Sequence, residues 1–124
     1  MVEIGHKYTS KTQVTLHLAA DNMGSGDMPV FATPAMLALM ENAAMMAVKP
    51  YLTEGCTTVG GYIEASHLRP TKLGDNVTAT AVVTKVEGKK IEFHVEAHCG
   101  DVLLGEGNHL RVIVDRDKFI ERLK

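Results

Sequence analysis

The stretch VFATPAMLALMENAAMMAV, Val30–Val48, predicts one long and largely apolar helix that decides the fold. Thr33 can cap the first turn with its hydroxyl, and Pro34 is favourable at the first helical position. The helix should end close to Val48, because Pro50 disfavours helical geometry in the residue before it. Apolar residues cover almost the whole circumference, so we expect other structure, such as a curved sheet, to wrap the helix.

One carboxylate, Glu41, interrupts this apolar helix. Burial of an unpaired charge costs several kcal/mol, so a chain does not usually place a charge there for stability. Either Glu41 faces solvent beside Asn42, or it has a functional task. The helix alone leaves both interpretations open.

The segment before the helix combines a predicted strand with a predicted loop. Residues in Tyr8–Ala20 alternate between apolar and polar from Thr12 onward, which is typical of a half-buried strand. The following DNMGSGDMP, Asp21–Pro29, is predicted to be a flexible loop. Such a loop could cover a site at the helix start.

The second half of the chain predicts a four-stranded antiparallel meander. Two tight turns, at Glu87–Lys89 and at Gly100–Asp101, separate its last three strands. The four strands are predicted over Thr57–His67, Asn76–Glu87, Lys90–Cys99 and Val102–Asp115. A short polar helix, Lys118–Leu123, is expected to close the domain. Strand, long helix and meander in this order indicate an α+β fold.

Composition limits the function classes. The 124 residues suit a single domain over 1–124, and the formal net charge of −2 gives no footprint for nucleic acid. No run reaches the roughly 20 apolar residues of a membrane span, and no signal peptide is evident, so a cytoplasmic protein with no membrane association is expected. Cys56 and Cys99 are predicted to be reduced thiols without a chemical role.

Longer motifs carry a family resemblance that covers nearly the whole chain. VFATPAMLALMENAAMMAVKPYL, VGGYIEASHLRPTKLGDNVTATA and GEGNHLRVIV closely resemble the fluoroacetyl-CoA thioesterase type of the hotdog superfamily. The resemblance implies a bent antiparallel sheet of five or six strands around one central helix. It also implies a catalytic set of Thr33, Glu41 and His67.

The same resemblance implies how substrate is bound. Backbone amides near Gly60 and Gly61 would lie beside the thioester, and Arg111 would lie near the substrate pocket. Members of the family are homodimers or dimers of dimers with the CoA site at the subunit interface, and they need no cofactor beyond the CoA of the substrate. One departure concerns the loop before the helix, where GSGD, Gly24–Asp27, replaces the lid phenylalanines of the fluoroacetyl-specific enzyme. We therefore expect thioester hydrolysis without fluoroacetyl specificity.

Helix geometry adds a constraint on the predicted site. Eight residues separate Thr33 from Glu41 by about 12 Å along the axis, so these side chains cannot touch within one chain. A partner chain should supply at least one of the three residues across a two-fold interface. The helix start also offers free N–H groups for an oxyanion or a phosphate. His94 and His98 lie about 13 Å apart along one strand, too far for a shared metal, and no metal is expected.

The predicted function is hydrolysis of a small or short-chain acyl-CoA. Glu41 could act as general base on water or attack directly to give an acyl-enzyme anhydride, and His67 could orient Glu41 or protonate the leaving thiolate. Alternatives are an enoyl-CoA hydratase or dehydratase on the same fold, and a non-catalytic acyl-CoA-binding dimer. Four methionines are expected in the core or at an interface. Arg111 and three lysines are candidates for CoA phosphates, although a solvated surface position is favoured for each lysine. These residues are Met36, Met40, Met45 and Met46, and Lys72, Lys89 and Lys90.

Overall fold

A computed structural model describes all residues, 1–124, and contains a five-stranded antiparallel sheet that curls around one long helix. The strands are β1 (Lys7–Gln13), β2 (Cys56–His67), β3 (Asn76–Glu87), β4 (Lys90–Cys99) and β5 (Val102–Asp115). The helices are α1 (Ala20–Met23), α2 (Thr33–Val48) and α3 (Arg116–Glu121), with 3₁₀ turns at Leu16–Leu18 and Lys49–Tyr51. The predicted hotdog fold is confirmed.

The sheet order is β1-β3-β4-β5-β2, so the prediction of a four-stranded meander is wrong. Only β3, β4 and β5 follow one another through tight turns. β2 pairs with β5 on the far side, from Cys56 opposite Asp115 to His67 opposite Gly105. The segment between β2 and β3 is too long for a tight hairpin, and it carries the chain across to the other edge of the sheet.

The first strand is shorter than predicted. β1 ends at Gln13, which pairs with the first residue of β3, Asn76, and beyond that point no strand remains to pair with. The chain therefore turns at Val14, which is buried, and forms a 3₁₀ turn in which Leu16 is 68% exposed. Alternation of residue types continued past Gln13, but a strand also needs a partner.

The start of α2 also differs from the prediction. Ala32 is the N-cap, Thr33 is the first helical residue, and the Thr33 hydroxyl is hydrogen-bonded to His67 instead of capping the helix. The predicted end at Val48 is confirmed, and Pro50 lies in the following 3₁₀ turn.

One face of α2 packs mainly against β1 and β3, and it includes the fully buried Met36 and Met40. The opposite face is open, with Ala38 and Asn42 exposed. The expectation that a curved sheet wraps the helix is confirmed for the face that carries Met36 and Met40. The sheet buries only one face of a helix that is apolar almost all round.

The last helix begins two residues earlier than predicted. Asp115 caps α3 by accepting a hydrogen bond from the backbone N–H of Lys118 at 3.0 Å. This cap fixes the start of the helix at Arg116, because it satisfies a donor that would otherwise be free. None of the helices combines the length and the apolarity that a membrane span requires.

Candidate active site

Thr33 and His67 meet at the point where α2 begins and β2 ends. The Thr33 Oγ1 lies 2.7 Å from His67 Nδ1, and the edge of Phe31 faces the imidazole with ring centroids 6.4 Å apart. The other ring nitrogen, Nε2, is buried without a hydrogen-bond partner. Burial lowers the pKa of His67, and the backbone of Arg69 opposes this lowering only in part. The imidazole is therefore biased toward its neutral form, with one nitrogen engaged and the other free.

A pocket of about 300 Å³ lies beside this pair. It is an open depression bordered by the helix start, the end of β2 and the loop that precedes α2. Its lining is Ala20, Ser25, Val30, Phe31, Thr33, His67, Leu68, Arg69 and Pro70. The loop predicted to border a site at the helix start thus contributes Ser25 to the wall.

Glu41 lies two turns further along α2 and belongs to a different group of residues. Its side chain is 41% exposed, and its Oε2 lies 3.9 Å from Nη1 of Arg111, whose side chain is only 8% exposed. Arg111 is held by Thr58, whose hydroxyl accepts from Nε at 2.8 Å and whose carbonyl accepts from Nη2 at 3.0 Å. The carboxylate in the apolar helix therefore faces a buried, fixed positive charge.

A glycine makes room for this carboxylate. Gly60 in β2 pairs directly with Arg111 in β5, and a Cβ atom at Gly60 would stand 2.9 Å from Glu41 Oε2. The next residue, Gly61, lies at a bulge where the β2–β5 register shifts between Gly60 and Tyr62. Gly60 is thus beside Glu41, and the backbone of Gly61 lies outside the regular ladder.

Sequence reasoning gave His109 no role, yet it is part of this group. His109 is 2% exposed, its Nε2 lies 3.2 Å from Arg111 Nη1, and its Nδ1 lies 2.6 Å from the carbonyl of Tyr62. Burial lowers the pKa of His109, with a smaller lowering from Arg111 and an opposing effect from Glu41. His109 and Arg111 are two positions apart in one strand, so their side chains share a face of the sheet. This spacing was the signal in the sequence that could have placed His109 beside Arg111.

Within one chain, the structure brings Thr33 and His67 together and Glu41, Gly60 and Arg111 together. His67 is hydrogen-bonded to Thr33, and Glu41 is paired with Arg111. The two groups lie about 12 Å apart along α2, the distance of eight helical residues.

The remaining histidines of interest are on the outer face of the sheet. His94 Nε2 lies 2.9 Å from one oxygen of Glu96, and His98 Nε2 lies 3.6 Å from the other. Glu106 is the cross-strand neighbour of Glu96, and its carboxylate lies 4.0 Å from His94 Nε2. These partly exposed side chains pair with one another on the face of β4 that points away from α2.

Comparisons with known proteins agree with this architecture. A sequence model of the family described as fluoroacetyl-CoA-specific thioesterase matches residues 14–117. The fluoroacetyl-CoA thioesterase of Streptantibioticus cattleyicolor is 36% identical over 109 residues, which cover 87% of this chain and 78% of that protein.

Solved structures give the same result. A serine-for-threonine variant of the fluoroacetyl-CoA thioesterase FlK, in complex with acetyl-CoA, superposes with a TM-score of 0.93 at 30% identity, covering 98% of this chain and 96% of that one. A thioesterase superfamily member from Thermus thermophilus superposes with a TM-score of 0.90 at 31% identity, covering 99% and 93%.

The curled sheet, the single long helix and these similarities define a hotdog-fold thioesterase. The chain belongs to the fluoroacetyl-CoA-specific thioesterase family. The predicted resemblance and the predicted class of enzyme, a hydrolase of small acyl-CoA thioesters, are confirmed.

Proposed function

We propose that two copies of this chain form each active site and that the site hydrolyses small acyl-CoA thioesters without selecting fluoroacetyl groups. Thr33 and His67 would come from one subunit and Glu41 from its partner. The observation that carries the proposal is the separation of these residues into two groups, each with its own hydrogen bonds or charge partner. The Glu41 carboxylate is 41% exposed, so it is available to a second subunit in a way that a buried carboxylate would not be.

Glu41 has two chemically balanced routes to the thioester. As a general base, it takes a proton from water while the water oxygen adds to the carbonyl carbon. As a nucleophile, it adds directly, and loss of CoA thiolate leaves a mixed anhydride that water then hydrolyses. In both routes the carbonyl oxygen becomes an oxyanion, for which the backbone N–H groups at Gly60 and Gly61 are the candidate donors.

The Thr33–His67 pair is suited to the leaving group. If the Thr33 hydroxyl donates to Nδ1, the neutral imidazole carries its proton on Nε2, the nitrogen that has no partner in the structure. That proton can pass to the sulfur as the C–S bond breaks. Arg111, which is buried behind Glu41, would fix the charge environment of the carboxylate instead of contacting CoA phosphates.

The substrate proposal is supported by the family match and by the loop beside the pocket. The pocket lies beside Thr33 and His67, and Gly24–Asp27 carries no aromatic side chain that could close over it. We expect the kcat/KM values for acetyl-CoA and fluoroacetyl-CoA to differ by less than about tenfold, and longer acyl groups to react more slowly.

The first experiment is thiol release from acetyl-, fluoroacetyl-, butyryl-, crotonyl- and palmitoyl-CoA by wild type and Glu41→Gln. Hydrolysis that falls at least about a hundredfold in Glu41→Gln supports Glu41 as the reacting carboxylate. A single turnover in ¹⁸O-labelled water then tests for the anhydride, because label enters the Glu41 carboxylate only when water attacks the glutamyl carbonyl of that intermediate. Hydration of crotonyl-CoA without thiol release would support a hydratase and contradict the proposal.

Subunit complementation tests the shared site. Glu41→Gln and His67→Ala are co-expressed with different tags, and the mixed dimer is purified. If the site is shared as proposed, one of its two sites carries both defects and the other carries none, so the mixed dimer should recover about half of wild-type activity. If each site is formed by one chain, every site in the mixed dimer is defective and activity stays at the level of the parents.

A cytoplasmic location and assembly beyond a dimer stay predictions.

A further inference from the structure

We propose that His109 is a positioning residue of the proposed active site and that it works only as a neutral imidazole. It bridges the carbonyl of Tyr62 and the guanidinium of Arg111, and it thereby fixes the cation that faces Glu41. This inference rests on the proposed function, because its consequence for catalysis requires that Glu41 reacts with the thioester.

The hydrogen-bond chemistry allows only one neutral tautomer. Arginine has donors and no acceptor, so Arg111 Nη1 must donate to His109 Nε2, which therefore carries no proton. The proton of the neutral ring is then on Nδ1, where it is donated to the carbonyl of Tyr62 at 2.6 Å. Protonation of Nε2 would remove the acceptor and place a second positive charge beside the guanidinium.

The two bonds connect both structural features that surround Glu41. Tyr62 directly follows Gly61 at the bulge of β2, so its carbonyl anchors the backbone next to the candidate oxyanion donors. Arg111 lies opposite Gly60, where the missing side chain admits the Glu41 carboxylate. A single imidazole thus fixes the bulge and the cation relative to each other.

The surroundings of His109 make its charge state decisive. Phe93 of β4 stacks on the ring with centroids 5.9 Å apart, and Tyr62 presents only its backbone carbonyl. The charged groups that act on the ring are Arg111 on the same strand and Glu41 from α2. With 2% exposure, the imidazole has almost no water to replace a lost hydrogen bond.

Two near-isosteric substitutions separate the two bonds. In His109→Gln the amide oxygen can accept from Arg111, whereas in His109→Asn the shorter amide keeps a donor for the Tyr62 carbonyl and loses the acceptor that Arg111 needs. Both variants lose the stacking on Phe93, and the shorter Asn leaves the larger cavity, so thermal unfolding is measured on both to separate a packing defect from a loss of activity. We expect His109→Gln to retain kcat within about threefold and His109→Asn to lose at least about tenfold in kcat, with little change in KM for either.

The pH dependence gives a second readout. The substitution His109→Gln removes the titratable group at position 109, so the pH dependence of the ratio of the two kcat values reports on His109. Burial lowers the pKa of His109, so we expect this ratio, wild type over His109→Gln, to stay constant near pH 6.5 and to fall only at more acidic pH. A ratio that stays constant with pH, together with equal activity of the Gln and Asn variants, would overturn the proposal.

A spectroscopic measurement separates this inference from the proposed function. In ¹⁵N-labelled wild-type protein at pH 7.5, the His109 ring should show a protonated Nδ1 and an unprotonated Nε2. The opposite tautomer, or a charged ring, refutes the bridge even if the enzyme is active. If the expected tautomer is found in a protein that cleaves no thioester, the bridge stands as structure and the catalytic proposal fails.

Discussion

Replacing Gly60 with alanine should disturb Glu41 while leaving the fold intact. The added Cβ would stand 2.9 Å from Glu41 Oε2, whereas ordinary contact begins at about 3.4 Å, so the carboxylate must move by about 0.5 Å. The other neighbours, in His109 and Arg111, would be at 3.5 and 3.7 Å, which is ordinary contact. Because the obstructing atom is the end of a flexible side chain, we expect the free energy of unfolding to change by less than about 1 kcal/mol.

Activity should respond more strongly than stability. A displacement of 1 Å in a reacting group can cost about a hundredfold, so about 0.5 Å at Glu41 should lower kcat by about tenfold. Gly61→Ala is the matched control, since its Cβ would meet only Leu110 and Val112 atoms at 3.6 Å or beyond. Thiol-release kinetics and thermal unfolding are measured on both variants. Equal kcat in Gly60→Ala and Gly61→Ala would refute the reasoning that the space at Gly60 exists for the carboxylate.

Three further predictions concern acid stability, Thr33 and a close strand contact. The pKa values of His67 and His109 are lowered by burial in the folded state, so the unfolded chain takes up more protons as the pH falls below its ordinary value of about 6.5. Urea unfolding should therefore show stability falling from pH 6.5 downward, and a pH-independent midpoint between pH 7 and pH 5 would contradict these directions. Thr33→Val should lower kcat by about tenfold or more, whereas Thr33→Ser should retain kcat, because only the hydroxyl can hydrogen-bond to Nδ1 of His67. Both variants are measured by steady-state kinetics. An equal loss of kcat in the two variants would make Thr33 a packing residue. Gly107→Ala should destabilise the fold by about 3 kcal/mol or more, because its Cβ would overlap the carbonyl of Glu64. An unchanged denaturant midpoint in chemical denaturation would disprove this close packing of β2 on β5.

Local patterns predicted the elements well wherever the elements are local. The bounds of β3, β4 and β5 agree with the sequence prediction, because alternation and the tight turns at Gly88 and Gly100 lie within short windows. Both glycines have positive φ, which those hairpin turns require. The end of α2 was also predictable, since Pro50 marks it in the sequence.

Pairing between distant segments was not predictable from such patterns. The residues of β2 do not indicate that its partner is β5. The residues after Gln13 do not indicate that β1 ends there because β3 begins at Asn76 and offers no further partner. For the same reason His109 was overlooked: its partners are a carbonyl in β2 and a guanidinium two residues along. The family resemblance proposed Arg111, but it did not indicate what holds Arg111 in place.

The question that Glu41 poses in the sequence has an answer that depends on this long-range pairing. A carboxylate on an apolar helix becomes tolerable because β2 and β5 pair in a register that sets Gly60 against Arg111. The glycine leaves space and the arginine supplies charge for a carboxylate that is also 41% exposed. A larger residue at Gly60 would exclude the carboxylate, and an uncharged residue at Arg111 would leave it without its counter-ion. Two hydrogen bonds to Thr58 and one to His109 hold the Arg111 guanidinium beside the Glu41 carboxylate. The single carboxylate of the helix is therefore accommodated by a pair of strand residues that lie about 20 and 70 positions further along the chain.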